Sequence, residues 1–188
     1  MEQILMPIQG LQLIQDIITP EYHDYLLAVI DQQPWITDMR RRVQHYGYRY
    51  DYKSRSVDAS QFLGALPVWC RPFLEQLQHA GLVEQVPDQL IINEYEPGQG
   101  ISSHIDCRPC FGEVILSLTL NSSCVMELTR DEEKVPLLLE PRSLLVLQGE
   151  ARHVWKHGIP ARKKDIFAEK SFERKRRISL TFRNVVLQ

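Results

Sequence analysis

The 188-residue sequence lacks any apolar run near the roughly 20 residues that a membrane-spanning helix needs, so no membrane association is expected. It also lacks basic residues ahead of the first apolar residues, which argues against a signal peptide. With only four cysteines and no secretory signal, we expect reduced thiols and a cytoplasmic protein. There is no repeat period or low-complexity linker, so we predict a single, monomeric domain over residues 1–188.

The net charge is small, at −2, which argues against a general polyanion binder. Two segments are nevertheless basic: residues 38–55 hold six Arg and Lys against two Asp, and residues 161–177 hold eight against three acids. Solvated faces are one explanation, and a localised anionic partner is the other. The first segment interleaves four tyrosines with its cations, which suits stacking on bases beside phosphates. These are Tyr46, Tyr48, Tyr50 and Tyr52.

The chain reads as helices followed by short strands. Thr19-Pro20-Glu21 is a helix start, and the helix is expected to end by Pro34. A second helix is predicted over 67–80, with Pro72 kinking or splitting it and Gly81 as its stop. From residue 88, seven short apolar runs separated by turn residues predict a β sandwich or barrel. The fold class is therefore mainly β with flanking helices, and residues 36–60 are predicted to form a lid.

A metal site is suggested by "HID" at residues 104–106 and "HG" at 157–158. In a strand, His104 and Asp106 would present their side chains on one face. His157, 51 residues after Asp106, would complete two imidazoles and one carboxylate, the facial triad of Fe(II) oxygenases. A His-x-Asp pair also arises by chance, so the pair alone is weak evidence. A nearby Pro97–Gly100 turn precedes the pair, and we expect it to deliver the pair to the start of a strand.

The last strand, "RRISLTFRNV", alternates apolar residues with polar ones that include Arg177 and Arg183. If the apolar set packs in a core, the two arginines face a polar interior and need an anion, which a dicarboxylate would supply. An ordinary half-exposed strand with solvated arginines is the alternative. Together with a facial triad, an interior carboxylate site is what an Fe(II)/2-oxoglutarate oxygenase requires.

Three segments, "INEYEPGQGISSHID", "SLLVLQGEARHVWKHGI" and "RRISLTFRNV", resemble the AlkB family of Fe(II)/2-oxoglutarate dioxygenases. The resemblance covers roughly residues 40–186 and is greatest to the vertebrate members fused to a tRNA methyltransferase domain. It implies a double-stranded β-helix (jelly-roll) core with N-terminal helices. The implied cofactors are Fe(II), 2-oxoglutarate and O2.

The resemblance also implies roles for individual residues. The implied iron ligands are His104, Asp106 and His157. The implied 2-oxoglutarate contacts are Asn93, Tyr95, Arg177 and Arg183, with Arg177 on the distal carboxylate. Candidate substrate contacts are Tyr46, Tyr48, Arg108 and Trp155. Arg108 stands where the family's DNA-repair prototype has an acid that contacts the methylated base, so it is a candidate for substrate choice. Trp155 has core packing as its default role.

We therefore predict a dioxygenase that oxidises an alkyl or modified group on a nucleic-acid base, with single-stranded DNA or RNA, including tRNA, as partner. An oxygenase of protein or small molecules on the same core is one alternative. A non-catalytic nucleic-acid-binding sandwich is the other. Cys107 and Cys110 form a lone Cys-x-x-Cys, which lacks two ligands for a structural zinc. We expect their thiols to lie near the iron without binding it.

Overall fold

Thr19 begins the first helix as the sequence predicts. In the computed structural model, which describes residues 2–4 and 7–187, its hydroxyl accepts a hydrogen bond from the backbone N–H of Tyr22 at 3.2 Å. Helix α1 spans Pro20–Asp31 and buries Leu26 and Ile30. None of the helices in the described ranges is long and apolar enough to cross a membrane.

The second predicted helix is divided into two. A 3₁₀ turn covers Val68–Cys70, and α2 covers Arg71–His79. Pro72 lies in the first turn of α2, where its missing N–H costs nothing, so it starts the α-helix instead of kinking it. Another 3₁₀ turn, Ala59–Gln61, is capped by Asp58, and a short helix α3 covers Gly149–His153.

Two antiparallel sheets and a hairpin form the rest. The larger sheet has the order β1 (Glu2–Ile4), β2 (Leu11–Gln15), β9 (Leu144–Leu147), β6 (Ile115–Leu120), β13 (Arg177–Arg183), β4 (Gln89–Tyr95) and β3 (Val43–Tyr46). The smaller sheet has the order β5 (Ile101–His104), β10 (Lys156–Ile159), β7 (Cys124–Arg130) and β8 (Glu133–Leu139). The hairpin consists of β11 (Lys164–Phe167) and β12 (Lys170–Glu173).

Strand β13 shows why the sheets pack as they do. Its apolar residues Ile178, Leu180 and Phe182 are fully buried in a core between the larger sheet and helices α1 and α2. Its polar residues face the other way, into the space between the two sheets. A second core, which includes Leu145, Leu147 and Leu128, joins the two sheets. The period-2 alternation of one strand thus separates the structural core from a polar interior.

All seven predicted apolar runs contain a strand, and β5 lies directly after the Pro97–Gly100 turn, where a strand was expected. Among the described residues, five further strands were not predicted. One is β3, which lies inside the predicted lid and pairs with β4, so residues 36–60 are only partly loop. Residues 153–155 of the run "HVWKHGI" are not strand, because α3 extends to His153 and β10 begins at Lys156.

Candidate active site

The side chains of His104, Asp106 and His157 converge on one point between the sheets. His104 ends β5 and is directly paired with His157 of β10. The centroids of the two imidazole rings lie 4.4 Å apart. Asp106 lies two residues beyond the end of β5, in a loop, so the predicted arrangement at the start of a continuous strand is wrong. One ligand atom from each residue nevertheless lies within 4.8 Å of the other two.

The imidazole of His104 is oriented for metal binding. Its Nδ1 lies 2.8 Å from the carbonyl oxygen of Ser102, which can only accept, so Nδ1 carries the proton. The lone pair of Nε2 then faces the Asp106 carboxylate, whose Oδ1 is 3.4 Å away. Two electron-rich atoms facing each other in a partly buried site are stabilised by a cation between them. The donor set therefore fits a divalent metal.

Electrostatics keeps Asp106 and His157 in their metal-binding forms. Burial alone would raise the pKa of Asp106, but its surroundings, foremost the positive charge of Arg183, outweigh that effect and hold the pKa well below its usual range. Burial lowers the pKa of His157 to about 4, despite the opposing effect of Asp106. A carboxylate and a neutral imidazole are the species that coordinate a metal.

Gly158, directly after His157, allows β5 and β10 to approach. A Cβ atom there would lie 2.8 Å from both the Cα and the backbone nitrogen of Ser103. The pairing of the two strands is irregular between His157 and Ile159, where a bulge brings the backbones together. The glycine of the "HG" motif is therefore a steric requirement of the site.

Arg177 presents unsatisfied donors to the interior. The residue is 2% exposed, and its Nη2 donates to the Thr119 hydroxyl at 2.8 Å. Its Nε and Nη1 are buried and have no hydrogen-bond partner among the described residues. The guanidinium also lies over the ring of Tyr95, 5.6 Å from the centroid. Buried, unpaired guanidinium donors fit an anionic ligand, in particular a carboxylate.

Arg183 lies at the metal end of the same strand. Its Nε is 3.2 Å from Asp106 Oδ2 but is misaligned for a hydrogen bond. Its Nη1 donates to Gln89 at 3.2 Å, and the guanidinium lies 4.5 Å from the centroid of the Phe111 ring. The two arginines thus mark opposite ends of one polar channel.

Asn93 and Tyr95 of β4 share the face that lines the interior, as alternation predicts. Asn93 Oδ1 accepts from Nε of Arg41 at 2.9 Å, and the Arg41 guanidinium lies 5.9 Å from the Tyr95 ring centroid. Arg41 was not singled out from the sequence. Arg41 lies in the basic segment 38–55, which was the available signal. The sequence does not show which residue of that segment lies opposite Asn93 and Tyr95 of β4.

These residues border a cavity of about 1020 Å³. Its walls include the triad, both arginines, Asn93 and Tyr95, together with residues of the predicted lid. The lid residues are Met39, Arg40, Arg41, Tyr50, Tyr52 and Arg55.

Two of the predicted substrate contacts lie outside this cavity. The hydroxyl of Tyr46 donates to Gln44 at 3.0 Å, and its ring packs on Trp69. Tyr48 packs against Phe62, with ring centroids 5.0 Å apart. The strand ends at Tyr46, and Gly47 has φ +76°, so the alternation that relates these rings to the later tyrosines is broken. Tyr50 and Tyr52 line the cavity in their place.

Arg108 and Trp155 do not line the cavity either. The Arg108 side chain donates to the backbone carbonyl of His153, at the end of α3. Trp155 is 3% exposed and packs beneath the guanidinium of Arg130, so it takes the core role. The sequence did not reveal α3, which provides the acceptor for Arg108.

The cysteines correct one expectation. Cys107 and Cys110 form a disulfide in the structure, whereas reduced thiols were expected. Both sulfur atoms contact the backbone carbonyl oxygen of Arg55 at 3.4 Å. Cys70 and Cys124 are free and buried. The disulfide therefore links the loop after Asp106 to the lid, without contributing a metal ligand.

A family model described as the 2OG-Fe(II) oxygenase superfamily matches residues 10–183. The chain belongs to this superfamily. The family uses Fe(II), 2-oxoglutarate and O2, so the predicted cofactors and the dioxygenase class are confirmed. The three converging ligands and the unpaired donors of Arg177 fit the metal and the dicarboxylate.

Curated relatives support the AlkB resemblance. Uncharacterized protein L905 of Acanthamoeba polyphaga mimivirus is 36% identical, over 95% of this chain and 86% of that protein. The "Alkylated DNA repair protein ALKBH8 homolog" of Arabidopsis thaliana is 40% identical, over 95% of this chain and 59% of that protein. The "tRNA (carboxymethyluridine(34)-5-O)-methyltransferase ALKBH8" of Macaca fascicularis is 42% identical, over 83% of this chain but 25% of that protein. The chain thus spans only part of the two ALKBH8 proteins.

Solved structures confirm the jelly-roll fold. The structure titled "The structure of OsALKBH1" aligns with a TM-score of 0.72 at 17% identity, over 97% of this chain and all of that one. A Pseudomonas putida prolyl-4-hydroxylase aligns with a TM-score of 0.61 at 16% identity, over 93% and 92% of the two chains. At these identities the likeness concerns the fold alone.

Proposed function

We propose that this dioxygenase oxidises an alkyl or modified group on a nucleic-acid base, presented in single-stranded DNA or RNA. The observation that carries the proposal is the position of the basic segment 38–55, whose Arg40, Arg41 and Arg55 line the cavity. Gln99, which also lines the cavity, donates from Nε2 to the carbonyl of Arg40 at 2.7 Å and so holds this segment in place. Cations along a cavity wall suit a base whose flanking phosphates remain outside.

The aromatic lining supports the same substrate class. Tyr50 and Tyr52 meet edge to face with ring centroids 5.0 Å apart, and both border the cavity. Ring faces at an entrance lined by arginines are suited to stacking on a base. A base in a duplex would have to leave its stack to enter, so single-stranded substrate is favoured. The names of the Arabidopsis and macaque relatives also refer to DNA and tRNA.

We assign the site residues as follows. His104, Asp106 and His157 would hold the iron, which together with 2-oxoglutarate and O2 supplies oxidation of a substrate C–H bond, with succinate and CO2 as co-products. Arg183 lies close to Asp106 and would serve the cosubstrate end nearer the metal. Arg177 would bind the distal carboxylate through its unpaired Nε and Nη1. Asn93 and Tyr95 border the same channel, where Arg41 fixes the Asn93 amide.

The test is a panel of methylated single-stranded DNA and RNA oligonucleotides, incubated with Fe(II), 2-oxoglutarate and air and analysed by mass spectrometry. We expect mass changes on modified oligonucleotides, coupled to succinate formation and absent in His104→Ala. Binding should weaken steeply with salt, as for contacts to phosphates. Succinate formation stimulated by peptides or metabolites, and not by any oligonucleotide, would contradict the proposal and select the alternative oxygenase class.

A further inference from the structure

Arg152 in α3 is a fully buried cation without an acidic hydrogen-bond partner. The residue is 2% exposed and is the largest of the fully buried side chains. Within the described ranges, the hydrogen bonds it donates go to backbone carbonyls alone, and no carboxylate forms an ion pair with it. Burial lowers the pKa of its guanidinium. Burying a guanidinium is costly, so its donors must be satisfied by groups that the fold holds in place.

The carbonyls that accept from Arg152 belong to the loop that carries the metal-binding carboxylate. Nη1 donates to Asp106 at 2.9 Å, and Nη2 donates to Cys107 at 3.3 Å. At the other end of the loop, Nη2 also reaches the carbonyl of Phe111 at 3.4 Å, and Nε reaches that of Gly112 at 3.4 Å. One planar guanidinium thus ties both ends of residues 106–112 to a single point.

The same arginine lies close in sequence to the other side of the triad. His157 follows it by five residues, and α3 is itself held by the Ala151 N–H, which donates to the carbonyl of Gln9 at 3.1 Å. Arg152 therefore joins the segment that carries His157 to the loop that carries Asp106. These two ligands have no direct strand pairing between them, because Asp106 lies beyond the end of β5.

We propose that Arg152 is a positioning residue that fixes the backbone of Asp106 and thereby sets the metal affinity of the triad. Its positive charge cannot be the reason, because a cation bonded to Asp106 repels a divalent metal. Arg183 already neutralises the carboxylate. Arg152 instead contributes the planar geometry of its guanidinium, which holds the four backbone carbonyls of the loop in place. The inference rests on the assignment of the three ligands and is independent of the substrate.

The test is the affinity for Mn(II), measured anaerobically by titration calorimetry on folded protein. For Arg152→Met we expect weakening by about 10- to 100-fold, as for other groups that orient metal ligands. Arg152→Lys keeps the charge but cannot hold four carbonyls, so we expect it to bind metal more weakly than the wild type as well. At saturating Fe(II), the KM for 2-oxoglutarate should change little, because Arg177 and Arg183 remain in place.

Arg174→Met is the matched control. Arg174 is also buried and donates to the carbonyls of Gln99 and Pro160, but its carboxylate partner is Asp165 and not a metal ligand. We expect it to lose stability while keeping a Kd for Mn(II) within about twofold of the wild type.

Three results would overturn the inference. One is unchanged Mn(II) affinity in folded Arg152→Met, and another is tighter binding, which a purely electrostatic role predicts. If Arg152→Met does not fold, wild-type affinity in Arg152→Lys decides against it. Failure of His104→Ala to reduce Mn(II) binding would instead remove the ligand assignment on which the inference rests. Failure to oxidise oligonucleotides would leave the affinity result unaffected.

Discussion

The guanidinium of Arg177 is buried in the protein interior, and its one hydrogen bond among the described residues goes to Thr119. Such a residue is stable only if a ligand or water completes its shell, because an unsatisfied buried donor costs about 1–3 kcal/mol. Asp106 is the opposite case, since arginine and two imidazoles surround one carboxylate. Arg177 therefore indicates an anionic ligand at the start of β13. Asp106 indicates a metal cation near Arg183, at the end of the same strand.

Arg177→Met should raise the KM for 2-oxoglutarate by about 10- to 100-fold, because charged hydrogen bonds contribute about 1.5–3 kcal/mol each. Initial rates of succinate formation over a range of 2-oxoglutarate concentrations measure it. Arg176→Met is the control, since Arg176 forms ion pairs with Asp31 and Glu94 and does not line the cavity. An unchanged KM for Arg177→Met would contradict the assignment.

His45 provides a pH-dependent prediction. Burial, followed by the charges of Arg49, Arg183 and Arg41, lowers its pKa from 6.5 to about 4. Between these values the unfolded chain binds a proton that the folded chain does not, so stability falls as the pH decreases from 6.5 to 4. We expect His45→Phe to remove on the order of 2 kcal/mol of that loss. Urea unfolding at pH 7 and pH 4.5 measures it, and equal pH dependence in both proteins would refute the prediction.

At the scale of elements, both histidines lie on two short strands, β5 and β10, whose pairing shifts register between His157 and Ile159. The sequence predicted β10 from the short apolar run "HVWKHGI", whereas a strand at β5 was expected only from the preceding turn, because "ISSH" shows no alternation. The sequence motif nevertheless predicted the three residues that converge in the structure. The spacing of the His-x-Asp…His motif predicts the site even where local propensity does not predict the strand, because β5 forms through its tertiary pairing with β10.

Gly158→Ala should destabilise the fold by about 1–3 kcal/mol, because the new methyl group would lie 2.8 Å from the backbone of Ser103. Denaturant unfolding of the metal-free protein measures the loss. Gly112→Ala is the control, because the nearest atom to its Cβ would be a side-chain carbon of Asn184 at 3.6 Å, an ordinary contact. Equal free energies of unfolding for the two variants would show that β5 and β10 can move apart at Gly158 without loss of stability.

The lid gives a prediction that separates neighbouring tyrosines. Tyr52→Ala should weaken binding of single-stranded oligonucleotides by about 5- to 100-fold, since stacking contributes about 1–3 kcal/mol per base. Tyr48→Ala should have a smaller effect, because Tyr48 packs on Phe62 outside the cavity. Fluorescence anisotropy with a labelled oligonucleotide measures both. A larger loss for Tyr48→Ala would favour the contact predicted from the sequence.

At the scale of the whole molecule, periodicity predicted the class of fold but not the sheet partners. The alternation of β13 showed which face is polar, and the structure places that face in the cavity. The position of Arg108 was beyond sequence reasoning, because its acceptor is a carbonyl 45 residues away on a helix of only five residues. Long-range contacts of this kind leave no periodic signal.

Metal binding should stabilise the whole domain. A ligand at 100 times its Kd adds about 2.7 kcal/mol. For a chain of this size, that corresponds to an increase in Tm of roughly 5–10 °C. We expect this increase with Mn(II), its reversal by EDTA, and no response in His104→Ala. Differential scanning calorimetry measures it, and an equal increase in the variant would place the metal elsewhere.

Among the residues that the structure describes, β5 forms one edge of the smaller sheet and pairs with β10 alone. An edge strand with an irregular register opens easily, and here it carries one of the candidate metal ligands, His104. A metal held by His104 and His157 would cross-link the strand to its neighbour where ladder hydrogen bonds are few. Iron loading would then also suppress local opening of β5, which lines the cavity, and the apoprotein would open more often at this edge.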